Sequence, residues 1–355
     1  MDLIESLAIN TMPKLTVEAD PCPDFLRLGL EWRRIEPSGN LFQSWTWAGC
    51  LAAERFPRPL LLRARLGDST VGLALFNRRR WRLALTEADD RERDGPYVEH
   101  NAPVVAPGAP PGTAGALLRA AWRHAPLLRL SGVPAELAAL AGGEALRRRE
   151  DRAPWLDLEA LRDRGTTVAD ALSANTRQQL RRSARALAPL SLDAARDVEE
   201  ALAWLDELAA LHGARWRRRG QAGAFERPFF RRFHAALIAE ALPRGEVELL
   251  RLRAAGRPVG YLYNFRHGGV VQAYQSGFDD TLSGAAKPGL TAHLLAMEAA
   301  LARGDRAYDF LAGPQRYKRS FASGERRLVW TDLARENSLP AVMLKFSRWI
   351  GLVKA

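Results

Sequence analysis

The chain has 355 residues, 47% hydrophobic and 26% charged, with a formal net charge of +11. That length exceeds one ordinary domain and suits two of roughly 150 residues each, and the composition excludes a disordered chain. No run reaches the roughly 18 apolar residues of a membrane span. Cys22 and Cys50, the two cysteines, give neither a disulfide framework nor a CxxC pair. The opening "MDLIESLAIN" places acids where an export signal needs base, so the expected compartment is the cytoplasm. Only five of the 52 basic residues are lysine, at 14, 287, 318, 345 and 354. An arginine bias of this kind reads either as the compositional background of a G+C-rich genome or as the mark of an anionic partner.

The first half runs from about 24 to 150. "LLRARLGDSTVGLALFN" (61–77) reads as a strand, a tight turn and a second strand, because Arg alternates with Leu or Ala as on a sheet with one wet face. Cys50, in "WAGCLAAERF", is expected on a helix. Strands are expected near 81–86, 97–106 and 127–133, a Pro- and Gly-rich loop at 106–115, and a helix at 113–124. "APWLDL" (153–158) reads as a strand crossing between the halves. In the second half, Ser173 can cap a helix over 173–187 that sets Arg177, Arg181 and Arg185 on one face, either solvated or facing phosphate. A helix from Val198 is stopped by Gly220, and another covers 227–242. Strands follow at 246–254, 258–266 and 270–277, a loop at 279–288, a helix at 289–303, strands at 306–311 and 326–334, and a helix at 338–352. The order is mixed α/β with strands running both ways.

Residues 249–265, "LLRLRAAGRPVGYLYNF", align without a gap on 61–77 at an offset of 188. Both hairpins sit about sixty residues into their halves. A duplicated unit explains this; the alternative is that hairpins look alike.

Two stretches concentrate chemistry. At "KPG" (287–289) the chain leaves a loop and enters a helix. The free amides of Gly289, Leu290 and Thr291, with the Lys287 charge, make a phosphate site there, and Gly289 lets a pyrophosphate approach the backbone. In "YDFLAGPQRYKRSF" (308–321), Asp309 lies on a core strand, and Tyr317 and Lys318 follow its carboxyl end, where open α/β sheets bind ligands. The two stretches are expected to meet in one cleft. Taken singly, Asp309 reads equally as a paired carboxylate and Tyr317 as core packing. The six histidines show no metal spacing, and neither a GxSxG elbow nor a Walker loop occurs.

The segments "ANTRQQLRRSARAL", "PVGYLYNFRHGGVVQAYQSGFD", "KPGLTAHLLAMEAALARGDRAYDFLAG" and "YKRSFAS", spanning 174–323, together resemble the GNAT acyltransferase superfamily, in its CelD/BcsL-type, FemAB-related branch. "LFQSWTWAGCLAAERF" (41–56) is similar to the opening helix of that branch. The resemblance implies two tandem GNAT-like domains, a degenerate one at 1–155 and one at 156–355 carrying the donor site. It implies acyl transfer from acyl-CoA, acetyl-CoA or longer and without a metal, to an amine on a small molecule or glycan, as in polysaccharide or envelope synthesis. Pro288 and the Lys287–Thr291 amides would hold the pyrophosphate, Gln275, Ser276 and Gly277 the acyl end, and Tyr274, Arg177 and Arg316 the acceptor. Asp309 would be general base or orient the amine, Tyr317 acid or positioner, and Lys318 would steady the oxyanion or leaving group. The loop at 287–289 departs from the Q/R-x-x-G-x-G/A pattern of the superfamily. Two other readings share the resemblance: a Fem-like transferase using aminoacyl-tRNA, and a non-catalytic accessory of exopolysaccharide synthesis. Lys345, Arg348, Trp349 and Lys354 on the last helix are expected to pack on the domain rather than on a membrane surface.

Overall fold

The computed structural model describes residues 14–282 and 284–343. Residues 339–343 are helical, and Lys345, Arg348, Trp349 and Lys354 lie outside the described residues. The N-terminal half opens with β1 (Leu15–Asp20) and α1 (Phe25–Ile35). Asp24 caps α1 by accepting the Leu26 and Arg27 amides, and Leu28, Trp32 and Ile35 form its buried stripe. The single helix expected over 41–56 is not formed. A 3₁₀ turn (Leu41–Gln43), α2 (Trp45–Ala48) and α3 (Ala52–Arg55) take its place, with Cys50 in the turn between the helices and Leu51 left-handed at φ 50°. The break lets Phe42 and Trp47 pack edge-on, 4.8 Å apart, inside an aromatic core shared with Phe233, Phe265 and Tyr274 of the other half.

The half continues through β2 (Pro59–Leu66), β3 (Ser69–Arg79), β4 (Arg82–Leu85), β5 (Val104–Val105), α4 (Thr113–Ala121), β6 (Leu127–Pro134), α5 (Ala135–Ala141) and β7 (Glu144–Asp157). The strand expected over 97–106 shrinks to β5. Upstream of it, the Asn101 amide bonds Gly132 O and its side chain bonds Leu85 O, so this stretch runs beside the sheet rather than in it.

The C-terminal half comprises α6 (Leu158–Asp163), α7 (Val168–Ala171), α8 (Ala174–Leu187), β8 (Leu190–Ala194), α9 (Val198–Arg218), α10 (Pro228–Ala241), β9 (Val247–Ala254), β10 (Arg257–His267), β11 (Val270–Phe278), α11 (Pro288–Ala302), β12 (Ala307–Asp309), α12 (Arg316–Phe321) and β13 (Gly324–Ala334). Ser173 caps α8 as expected, accepting the Thr176 amide. The two hairpins superpose on the 188-residue offset down to their ends: β2 and β3 map onto β9 and β10 residue for residue. Each also has a bulge at the same place, which leaves Val71 or Val259 out of register.

One mixed sheet holds all thirteen strands, in the order β1-β2-β3-β4-β6-β13-β7-β12-β11-β10-β9-β8, with β5 against β3. The halves exchange strands at its centre. β13, last in the chain, pairs with β6 of the first half, and β7 of the first half pairs with β12 of the second. The exchanged strands pair with each other from Gly324↔Trp155 to Ala334↔Glu144. The fold is therefore a mixed α/β tandem built as a single sheet.

Candidate functional site

A cleft forms where the sheet opens. β11 and β12 run parallel but pair only at Val270↔Ala307, Val271↔Tyr308 and Gln272↔Asp309. Beyond Gln272, β11 stays bonded to β10 alone, with a bulge that skips Tyr274. Leu311, left-handed at φ 58°, then turns the other strand away. The resulting cavity of about 400 Å³ is lined by Ser276 and Phe278 of β11, by Lys287, Pro288, Gly289 and Leu290 at the start of α11, and by Tyr317 of α12. The Lys287 amide donates to Ser183 Oγ at 2.8 Å, and the Thr291 amide closes the first turn on Lys287 O. The amides of Gly289 and Leu290 have no acceptor among the described residues, so two of the three expected donors face the cleft.

The cleft also holds residues that sequence reading missed. Arg215 and Arg219, one turn apart at the end of α9, line it together with Lys287. Their position in a basic last turn suits the helix dipole, which hid a second use. His293 of α11 is buried, its Nδ1 3.0 Å from Tyr308 Oη and its Nε2 without a partner among the described residues. Burial, with the Lys318 charge nearby, pulls its pKa down to about 3, so the ring is neutral. Tyr317 stacks on that ring at 5.2 Å. Burial pushes its phenol up to about 12 and no described residue hydrogen-bonds it, so it stays protonated and free to donate. The cleft thus has a neutral floor and a rim of Lys287, Arg215 and Arg219 together with the carboxylates of Asp279, which accepts from Thr281, and Asp280, which pairs with Arg218.

Asp309 and Lys318 turn to the other side, toward the first half. Asp309 is fully buried: its Oδ1 accepts the Leu311 amide at 2.7 Å, and its Oδ2 lies 2.9 Å from Arg326 Nη1 and 3.1 Å from His100 Nε2. The His100 and Arg326 charges hold its carboxyl below the usual range despite burial, and Asp309 in turn raises His100. Lys318, lowered by burial, donates to Leu311 O at 3.1 Å and Ala312 O at 2.8 Å. The Ala312 amide is taken by Glu99 Oε2 at 2.5 Å, and burial raises the Glu99 carboxyl. Asp309 and Lys318 therefore belong to a charged cluster between the halves, completed by Glu99 and His100 more than two hundred residues upstream. No local signal marks that pair.

The remaining expected residues divide. Gly277 is where α9 crosses β11: a Cβ there would lie 2.5 Å from Leu208 O. The Thr291 hydroxyl bonds Ser183 at 2.8 Å. Tyr274 is half-buried and packs against the aromatic core, stacked on Phe265. Gln275 is half-buried on β11 and lies off the cleft lining, as do Arg177 and Arg316. Arg177 donates to the carbonyls of Asp170 and Leu172 at the end of α7, and Arg316 is exposed at the start of α12. Among the described residues no group of three or more His, Cys, Asp or Glu could hold a metal ion. No described helix is long and apolar enough to cross a membrane.

Residues 174–319 match the family described as Acetyltransferase (GNAT) domain. No curated protein matches the chain. Among solved structures the chain resembles FemX, with TM-score 0.60 and 11% identity over 92% of this chain and 100% of the other. It also resembles the C-terminal domain of a protein assigned as a lysylphosphatidylglycerol synthetase from Agrobacterium fabrum, with TM-score 0.55 and 12% identity over 94% and 100% of the two chains. L-PGS from Bacillus licheniformis matches with TM-score 0.50 and 15% identity over 80% and 87%. At these identities the likeness concerns the fold. Residues 174–319 thus match a GNAT acetyltransferase domain model, within a chain whose fold is a mixed α/β tandem.

Proposed function

We propose that the protein is an N-acyltransferase that moves an acyl group from acyl-CoA to an amine, with residues 156–355 carrying the donor site and 1–155 a degenerate copy. The observation that carries this reading is the splayed β11/β12 cleft, with free Gly289 and Leu290 amides and the Lys287, Arg215 and Arg219 charges at its rim. A pyrophosphate suits that rim, and the neutral floor suits a thioester. The amine attacks the thioester carbon, a C–N bond forms as the C–S bond breaks, and the proton lost by nitrogen balances the one gained by the sulfur. Tyr317 is placed to donate to the departing thiolate. Ser276, on the stretch of β11 that has parted from β12, faces the acyl end. Lys318 and Asp309 are positioning residues that fix the 311–312 backbone at the cleft's edge. The motifs quoted above favour the CelD/BcsL-type branch, and with it an amino sugar or other amine of polysaccharide or envelope synthesis.

Thermal stability against CoA, acetyl-CoA and longer acyl-CoAs tests the donor, because a ligand that binds only the folded chain raises the Tm. A shift with acyl-CoA that is lost in Lys287→Glu supports the reading. A shift with aminoacyl-tRNA alone transfers it to a tRNA donor, a reading that the +11 charge favours.

A further inference from the structure

A second cavity, of about 670 Å³, is separate from the cleft at the start of α11. It lies over the exchanged strands and opens beside the β3–β4 turn, whose counterpart on the 188-residue offset is the 268–269 turn, far along the strand from Ser276 and Phe278. Cross-strand register explains its floor. Arg129 of β6 stands opposite Asp332 of β13, which stands opposite Arg147 of β7, so all three share one sheet face. Two residues along, Trp330 stands opposite Arg149, whose guanidinium covers the ring at 3.9 Å. The walls come from the 87–98 segment and from Arg227.

Eight arginines and five acids line this space. Each acid is engaged by the wall itself. Asp89 is held by Arg82 at 2.7 Å and Arg129 at 2.5 Å, Asp332 by Arg129 at 2.8 Å, and Asp90 by Arg79 at 3.4 Å. Asp94 turns inward to the amides of Ala88 and Asp90, at 2.7 and 2.8 Å. Glu87 accepts from Ser131 Oγ at 2.6 Å, and burial beside Asp94 pushes its carboxyl up to about 8, so it is neutral at pH 7. Arg91, Arg147 and Arg227 have no ion pair with any described residue. An exposed arginine without a partner is ordinary; three converging on one concavity whose acids are already satisfied are not.

We propose that this cavity is a second ligand site, which takes a molecule carrying two or more neighbouring phosphate groups on Arg147, Arg227 and Arg91. Guanidinium forks match phosphate oxygens two at a time, and the exposed Tyr97 gives the ligand's non-phosphate part an aromatic face at the rim. Tyr97 and Val98 line the cavity, and the next two residues, Glu99 and His100, reach Ala312 and Asp309. A bound ligand therefore sits one step along the backbone from the inter-half cluster. The site does not depend on the acyl-CoA reading.

The test is titration calorimetry of the full chain with inorganic pyrophosphate alone at low ionic strength, on the wild type and on Lys287→Glu, in which the charge at the start of α11 is reversed. The expected result is binding that Arg147→Gln/Arg227→Gln weakens about a hundredfold, at about tenfold per charge-assisted contact. Lys287→Glu, measured with pyrophosphate alone, retains the binding. Near-ultraviolet circular dichroism checks that the variants keep the native packing; if the double variant does not, Arg91→Gln with Arg147→Gln, both on exposed side chains, replaces it. Adenosine diphosphate binding tighter than pyrophosphate, or equal to it, supports the site and separates a nucleotide from another diphosphate carrier. No binding to the wild type, or equal binding in the arginine variants, overturns the proposal. Loss of CoA binding with pyrophosphate binding intact would count only against the donor reading.

Discussion

His100 Nε2 from the first half lies 3.1 Å from Asp309 Oδ2 of the second, in a buried pair that joins residues on either side of the strand exchange. The pKa of His100 is raised and that of Asp309 lowered. The histidine's contribution to stability is complete below its unfolded pKa of 6.5 and is lost as pH rises through the raised folded value. The aspartate's is present above its unfolded 3.8 and is lost as pH falls through the lowered folded value. Urea midpoints of the wild type should therefore fall as pH rises above neutrality, and more steeply than those of His100→Gln, in which the raised Glu87 carboxyl still titrates. Asp309→Asn, which leaves His100 and Arg326 facing each other, should cost about 3 kcal/mol.

Lys318 donates to two carbonyls that Glu99 and the turn at Leu311 help to place. Lys318→Met keeps the stem and removes the charge. It should lower kcat about a hundredfold, with donor affinity within a factor of about three, because the Lys287 rim is untouched. A Tm assay with acetyl-CoA beside steady-state kinetics reads both quantities.

Tyr317→Phe should lower kcat about tenfold to a hundredfold and leave Tm unchanged, since the phenol has no hydrogen bond to a described residue. The loss should shrink with a thioester whose thiol is more acidic, because such a leaving group needs less help from a proton donor.

Gly277→Ala would put a methyl 2.5 Å from Leu208 O and 3.1 Å from Leu211 Cβ, forcing α9 off the sheet. Overpacking of this kind costs about 1–3 kcal/mol. Because α9 also carries Arg215 and Arg219, donor affinity should fall with stability, whereas Arg215→Ala should weaken donor binding about tenfold at unchanged Tm. Calorimetric unfolding and donor titration of both variants separate the two effects.

His234 and His293 are held neutral by burial, with pKa values near 3, and His212 near 4. An unfolded chain binds protons at these sites below about pH 6.5, while the folded one does not until far lower. These three histidines should therefore make stability fall as pH drops from 6.5 toward 4, with a net slope below three protons because the raised Glu87 and Glu99 carboxyls act in the opposite direction. Unfolding followed by urea titration at half-unit pH steps measures that slope.

Much of the cleft at the start of α11 was legible in the sequence because its parts are local. A strand, a loop and a Pro-Gly helix start leave amides free wherever they occur, and Lys287, Gly289, Leu290 and Ser276 stand where that logic puts them. The hairpin repeat was legible for the same reason, since alternation and a Gly turn are written within twenty residues. The helix expected over 41–56 failed because aromatic burial against Phe233 and Phe265 outweighed helical continuity. Asp309 was placed on the right strand, but a carboxylate next to a tyrosine and a lysine in the chain gives no sign of which way each faces.

By itself, the sequence determined the two-half plan, the order of most elements, the repeated hairpin and the phosphate-ready start of α11, because each depends on residues within one or two turns of one another. The tertiary structure alone decided the strand exchange. β7 is rich in Arg and Glu and has little strand propensity, yet it lies at the sheet's centre because β13 and β12 supply its ladder on both sides. That exchange brings Glu99 and His100 to Lys318 and Asp309, and sets Arg147 beside Asp332 over the second cavity. Pairing between residues some two hundred positions apart depends on which surfaces bury each other, and no local pattern encodes it.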